Sequence, residues 1–152
     1  TKRHPMAMTF RTGARTDGRL TFLDGDIYGD TGSGVSLGAY VIKKAGIHAT
    51  GPYDVPNIRV DTYTLYTNNL ISGAMRGFGV LQAAVAHESQ MDQLANRLGM
   101  SPLEFRLTNC LKPGLTSSTG QLMNEGCGIE ATLQRIKDYM SAHDLRFNRP
   151  WQ

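Results

Sequence analysis

The sequence has little of what marks a membrane protein, a metal scaffold or a disulfide-bonded secreted domain. No apolar run approaches the ~20 residues that a bilayer-spanning helix needs, and no signal peptide opens the chain. There are only two cysteines in 152 residues, Cys110 and Cys127. They fit neither CxxC nor any other metal-ligand spacing, and reduced thiols in a cytoplasmic protein are expected. The four histidines, His4, His48, His87 and His143, form no HxxxH pattern, so ordinary surface or core use is expected rather than metal ligation. Charged residues are only 19% of the chain and the net charge is +3. The densest basic group, Thr1-Lys2-Arg3-His4, is short and terminal, and reads as a solvated end rather than a nucleic-acid surface.

What is present suits a globular domain with a real core. Hydrophobic residues are 40% of the chain, and the length fits one domain, residues 1–152. Residues 6–15 and 17–30 read as two antiparallel strands joined at Thr16-Asp17-Gly18. Residues 36–46 place Leu37, Tyr40, Val41 and Lys44 at helical spacing and stop at Gly46. Pro52 and Pro56 forbid a helix in the next stretch, and alternation from Ile58 to Tyr66 predicts a third strand. Leu81, Ala84, Glu88, Met91, Ala95 and Leu98 recur at three- and four-residue steps, which predicts the longest helix. Ser101-Pro102-Leu103-Glu104 is a capping box, with Glu104 able to reach back to the cap amide, opening a helix to about Asn109. Residues 113–127 read as a long loop, and a last amphipathic helix carries Ile129, Leu133, Ile136 and Met140 on one face. The order predicts α+β architecture: a small antiparallel or mixed sheet with segregated helices. Residues 1–69 form the strand-rich part and 70–152 the helical part. The chain opens without an initiator methionine and ends near an apolar Trp151, which predicts a piece of a longer polypeptide.

The stretch Gly73-Ala-Met-Arg-Gly-Phe-Gly79 sits at the mouth of the long helix. Glycines there suit a backbone that must approach something closely. The helix start offers unpaired N–H groups and the positive end of a dipole, a setting for an anionic group. Arg76 adds a charged donor fork, and Phe78, held between glycines, offers a ring to stack on a planar ligand. The alternative is a glycine-rich turn with Arg76 in a surface ion pair and Phe78 plugging the core. The motif is neither GxGxxG nor a Walker loop.

Several separated motifs carry a resemblance. "GAMRGFGVLQ", the upstream "GPYDVPNIRV" and "YTNN", the downstream "MDQLANRLGMSPLEFRLTN" and the opening "KRHPMAMTFRTGARTDGRL" occur in the same order from about Thr1 to Asn109. Together they resemble the molybdenum-binding subunit of the xanthine dehydrogenase and aldehyde oxidase family. The resemblance implies a molybdenum-dependent oxidoreductase of the hydroxylase type, acting on an N-heterocycle or aldehyde. It implies a partial site for a molybdenum–molybdopterin cofactor here, with iron–sulfur clusters and FAD on other domains or subunits. By the same resemblance Arg76 and Gly77 contact the cofactor, the Arg76 backbone amide reaching a metal oxo ligand rather than its side chain binding metal. Phe78 stacks on substrate, and Gln82 supports the loop.

The departures from the family matter too. Purine-oxidising members carry an arginine where this sequence has Lys44. Lysine keeps the charge and loses the planar fork, so Lys44, with Lys43, could pair with the carboxylate of a heterocyclic acid such as nicotinate. Two solvated lysines at a helix end are the other reading. The family's glutamate general base has no counterpart here, and Glu88, Glu104, Glu125 and Glu130 all read as structural. No catalytic residue is therefore assigned, and the 152 residues alone are expected to be inactive. The expected partners are the remaining molybdopterin-binding segments, iron–sulfur and flavin domains, and a small-molecule substrate, with no nucleic acid and no membrane. A stand-alone module binding an anion or nucleotide is the competing function.

Overall fold

The structure, a computed structural model, describes residues 2–145; Trp151 lies outside them. The elements are β1 (Met6–Ala14), β2 (Leu20–Gly32), α1 (Gly38–Ile47), β3 (Asn57–Tyr66), α2 (Val80–Leu98), α3 (Pro102–Asn109) and α4 (Ile129–Ala142). This is the expected α+β order. The β1–β2 turn closes with the Gly18 amide donating to the Arg15 carbonyl at 3.0 Å, and Gly18 takes a φ of 88°. The sheet order is β1-β2-β3. Asn57 Nδ2 donates to the Thr21 carbonyl at one end of β2, and the Thr67 amide donates to the Gly32 carbonyl at the other. These pairings ascend together, so β3 runs parallel to β2, and α1 is the crossover that a parallel pair requires.

Two compact units interleave along the chain. One comprises Thr1–Thr12, Leu23–Gly51 and Ile58–Glu88; the other comprises Gly13–Phe22, Pro52–Asn57 and Ser89–Gln152. The first has a core of Ile27, Ile42, Ala45, Ala49 and Ala83, with Met6, Met8, Phe10 and Val60 packed against it. Each buried isoleucine side chain contributes roughly 1.5–3 kcal/mol. The buried face of α1 is Gly38, Val41, Ile42 and Ala45, which corrects the sequence expectation: Leu37 and Tyr40 are exposed. The helix meets the sheet through Gly29, where a Cβ would lie 2.2 Å from Ile42 Cδ1.

Along α2 the buried positions are Ala83, His87, Met91 and Ala95, a four-residue stripe. The sequence pattern puts Leu81 and Glu88 on the apolar face, yet Leu81 is 52% exposed and Glu88 is half-exposed, 3.5 Å from His87 Nε2. Met91 and Ala95 lie on the buried face as the pattern predicts, while Ala83 and His87 carry too little hydrophobicity to mark it.

The second unit is organised around Asn109, which is buried. Its side-chain amide donates to the carbonyls of Gly18 and Phe105 at 2.8 and 2.9 Å, and its Oδ1 accepts from the Leu20 amide at 2.8 Å. One side chain thus satisfies three backbone groups that burial would otherwise strand. Ser101 caps α3 by accepting from the Glu104 amide at 3.1 Å; the reciprocal bond from Glu104 is not made among the described residues, and its side chain is exposed. Burial pushes the Cys110 thiol up, and both cysteines are free. Residues 113–127, which read as a loop, contain a small hairpin, closed by the Gly114 amide to the Met123 carbonyl and the Met123 amide to the Leu115 carbonyl. No residue of α4 is buried, so its apolar face is only partly covered. Among the described residues, no helix is long and apolar enough to cross a membrane.

Asp30, at the end of β2, ties down the segment that leads to the glycine loop. Its carboxylate accepts from Thr67 Oγ1 and Asn69 Nδ2 at 2.6 Å and from the Gly32 amide at 2.7 Å. These bonds, that from Thr67 foremost, hold its pKa below the usual carboxylate range. A depressed folded-state pKa means stability that is present above the unfolded value of about 3.9 and lost as pH falls through the folded value. Asp30→Ala in the full-length protein is therefore expected to lower the melting temperature by a constant amount between pH 5 and 8. Melting curves at successively lower pH should show the gap closing below about pH 4.

Candidate functional site

Three segments of the first unit build the site: residues 2–5, the Val41–Ala45 turn of α1, and residues 72–82. The glycine loop departs from ordinary backbone in three consecutive residues: Gly77, Phe78 and Gly79 have φ of 93°, 47° and 93°. For a phenylalanine this left-handed region costs ~1–2 kcal/mol, and it persists only where its surroundings over-determine it. Here the Phe78 amide donates to the Met75 carbonyl and the Val80 amide to the Gly77 carbonyl, both at 2.9 Å. Gly79 fixes the far side. A Cβ on Gly79 would stand 2.1 Å from the Val41 carbonyl oxygen and 3.0 Å from the Ala45 nitrogen. The close approach inferred for these glycines is thus, at Gly79, an approach to the backbone of α1.

The loop holds donors that its own chain does not use. Among the described residues the amides of Arg76 and Gly77 donate no hydrogen bond. Nor does the exposed Arg76 guanidinium form an ion pair. Phe78 is half-buried and is not among the core side chains. Successive free amides next to left-handed residues are a donor set of the kind that suits an anionic, oxygen-bearing ligand.

Residues 2–4 brace the loop. The Gly73 amide donates to the Lys2 carbonyl at 3.0 Å, Arg3 Nη1 to the Arg76 carbonyl at 2.9 Å, and Gln82 Nε2 to the His4 carbonyl at 3.1 Å. The expectation of a solvated basic end holds for Lys2, which is exposed, and is corrected at His4, which is 2% exposed. Burial pushes the His4 imidazole down against the pull of Asp30. Both His4 ring nitrogens, Ser72 Oγ and Gln82 Oε1 are buried without a hydrogen-bond partner, an unusual concentration of unmet polar capacity beneath one loop.

Residues 1–110 match the family described as the molybdopterin cofactor-binding domain. The chain belongs to this family. The nicotinate dehydrogenase large molybdopterin subunit of Eubacterium barkeri is 48% identical over 137 residues, covering 90% of this chain and 32% of that protein. A probable xanthine dehydrogenase subunit of Bacillus subtilis (strain 168) is 45% identical over 112 residues, 74% of this chain and 15% of that protein. The solved structure of aldehyde oxidoreductase from Desulfovibrio gigas superposes with a TM-score of 0.85 at 34% identity, over 92% of this chain and 15% of that one. The chain therefore spans less than a third of the length of these relatives.

Within this molybdopterin cofactor-binding domain, Arg76, Gly77 and Phe78 stand together on the loop. Lys44 lies on the same α1 turn that Gly79 touches, between Val41 and Ala45, and is exposed along with Lys43. Glu88 faces His87, Glu130 pairs with Lys112 at 2.6 Å, and Glu104 and Glu125 are exposed. No group of three His, Cys, Asp or Glu that could hold a metal ion occurs among the described residues. Sequence reasoning missed the brace from Arg3 and the burial of His87, whose ring packs against Gly51. The Arg-His-Pro run was a signal for the first; the second had none.

Two glycines separate contact from conformation. Gly79→Ala should combine left-handed strain of ~1–2 kcal/mol with a backbone clash of roughly 1–3 kcal/mol. Gly114→Ala, at a φ of 89° with nothing within 4 Å, should show the strain alone. Melting temperatures of the two variants in the full-length protein are expected to fall in that order, with cofactor content lost only at Gly79.

Proposed function

We propose that this chain forms one wall of the cofactor and substrate site of a molybdenum hydroxylase. The observation that carries the reading is the left-handed run Gly77-Phe78-Gly79 with the free amides of Arg76 and Gly77 beside it. The donor set fits the group: among the described residues, free amides and an unpaired guanidinium suit oxygen ligands and phosphate, and no side-chain metal cluster would compete. When bound, the molybdenum–pterin group supplies the two-electron acceptor for placing a water-derived oxygen on an electron-poor carbon. The chain's own part is to bind and orient. The Arg76 and Gly77 amides donate to oxygen atoms of the cofactor, and the Phe78 ring stacks on the planar substrate. Gln82, bonded to the His4 carbonyl, holds the base of the loop. The general base, the iron–sulfur clusters and the flavin belong to other segments or subunits. Leu70, 81% exposed, with Tyr66 and Val85, supports a surface that the remaining molybdopterin-binding segments cover.

The substrate class we infer is an N-heterocyclic acid. Lys43 and Lys44 are exposed at the end of α1, next to the turn on which the loop rests, and a relative at 48% identity is named a nicotinate dehydrogenase. A lysine supplies a point charge for a carboxylate without the bidentate fork that a purine edge favours.

Molybdenum analysis of the purified full-length protein tests the cofactor, and a metal-free active enzyme would end the reading. For the ring, Phe78→Ala is expected to cut kcat/KM about tenfold or more per bound molybdenum, since each ~1.4 kcal/mol of lost orientation is a factor of ten. Its melting temperature should barely move; a large drop with unchanged kinetics would mean a core plug, whose loss costs ~3–5 kcal/mol. For the charge, Lys44→Gln should raise KM for nicotinate by about tenfold, as expected for a charge-assisted bond of ~1.5–3 kcal/mol. KM for the uncharged amide of the same ring should stay within about twofold, whereas equal effects on both would exclude carboxylate recognition.

A further inference from the structure

Arg3 is bonded to the loop peptide that carries one of the two free amides, that of Gly77. Its Nη1 donates to the carbonyl oxygen of Arg76 at 2.9 Å. That carbonyl and the Gly77 N–H belong to a single trans peptide, as no cis bond occurs among the described residues, so the two groups point in opposite directions. Pinning the oxygen toward Arg3 therefore turns the Gly77 N–H away from the protein brace. A cationic donor on the oxygen also polarises the peptide and strengthens its N–H as a donor, because hydrogen bonds in series reinforce one another.

The aim of Arg3 is fixed by its neighbours. Lys2 and Ser72 form a parallel bridge, and Lys2 accepts from Gly73 at the loop's entry. His4 is buried and accepts from Gln82 beyond the loop's exit. Three consecutive residues thus hold the loop at its entry, its apex and its exit, and the apex contact alone comes from a charged side chain.

We propose that Arg3 is a positioning residue: it orients and polarises the Arg76–Gly77 peptide so that its N–H meets the anionic oxygen of the bound cofactor. This rests on the reading that the loop faces the molybdenum–pterin group. Arg3 itself touches neither cofactor nor substrate.

The test uses the full-length holoenzyme with Arg3→Ala and Arg3→Lys, and Arg135→Ala on exposed α4 as a control that removes the same charge elsewhere. Molybdenum content, kcat, KM, the EPR signature of the bound molybdenum and the melting temperature are measured for each. Arg3→Ala is expected to lower kcat per molybdenum by about tenfold or more, less than the ~10²–10³ for deleting a donor outright, with KM within about twofold and an altered EPR signature. Arg3→Lys, which keeps a cationic donor, should recover part of both, and Arg135→Ala should match the wild type. A wild-type EPR signature and kcat per molybdenum in Arg3→Ala would overturn the proposal. So would activity lost only in proportion to molybdenum content and melting temperature, which would make Arg3 merely structural. Absence of molybdenum from the wild-type protein would instead refute the underlying cofactor reading, and this proposal with it.

Discussion

The contact between Gly79 and the backbone of α1 is the constraint on which the site depends. With a prospective Cβ only 2.1 Å from the Val41 carbonyl oxygen, the loop and helix approach more closely than any side chain permits. The approach falls at the end of three successive residues with positive φ, Gly77, Phe78 and Gly79. Beside this run, among the described residues, stand two peptide N–H groups that donate no hydrogen bond and a half-buried phenylalanine flanked by glycines. The α1 helix can serve as the anvil because it is itself pressed onto the sheet through Gly29 and Ile42. Rigid packing therefore reaches from β2 through α1 to the loop without an intervening flexible layer.

Polar interactions supply what packing cannot, namely direction. The brace from residues 2–4 adds hydrogen bonds at the entry, apex and exit of the loop, and Asp30 gathers Thr67 and Asn69 on the approach. The exposed ion pairs of Arg59 with Asp24, Asp26 and Asp61 lie across the sheet and raise the Arg59 pKa, but exposed pairs contribute little stability. Directed bonds to backbone carbonyls matter more here, since an orienting peptide is of use to a ligand only if it does not rotate.

Much of the fold is legible in the chain. The strands, the turn at Thr16-Asp17-Gly18, the Ser101 cap and all four helices follow from spacing and turn chemistry, because these are local effects of one residue on its near neighbours. The faces of the helices are less legible. In α2 the sequence favours Leu81 and Glu88, while the structure buries Ala83 and His87. In α1 it favours Leu37 and Tyr40, while Gly38 and Ala45 go inward. Val41, Met91 and Ala95 do lie on the buried faces as the spacing predicts, but the small Gly38, Ala45 and Ala83 and the polar His87 carry too little hydrophobicity to mark the rest.

The sequence by itself determined the elements, their order, and a glycine loop of unusual composition at the start of a helix; its separated motifs placed the chain in its family. Tertiary structure alone decided what those glycines approach, that Arg3 and His4 are braces rather than a solvated end, and that Lys44 shares a helical turn with the loop's anchor. The reason is sequence distance. Arg3 and Arg76 lie 73 residues apart, and Asn109 reaches Gly18 across 91. No local rule of spacing relates residues so far apart; only the folded chain brings them within a hydrogen bond.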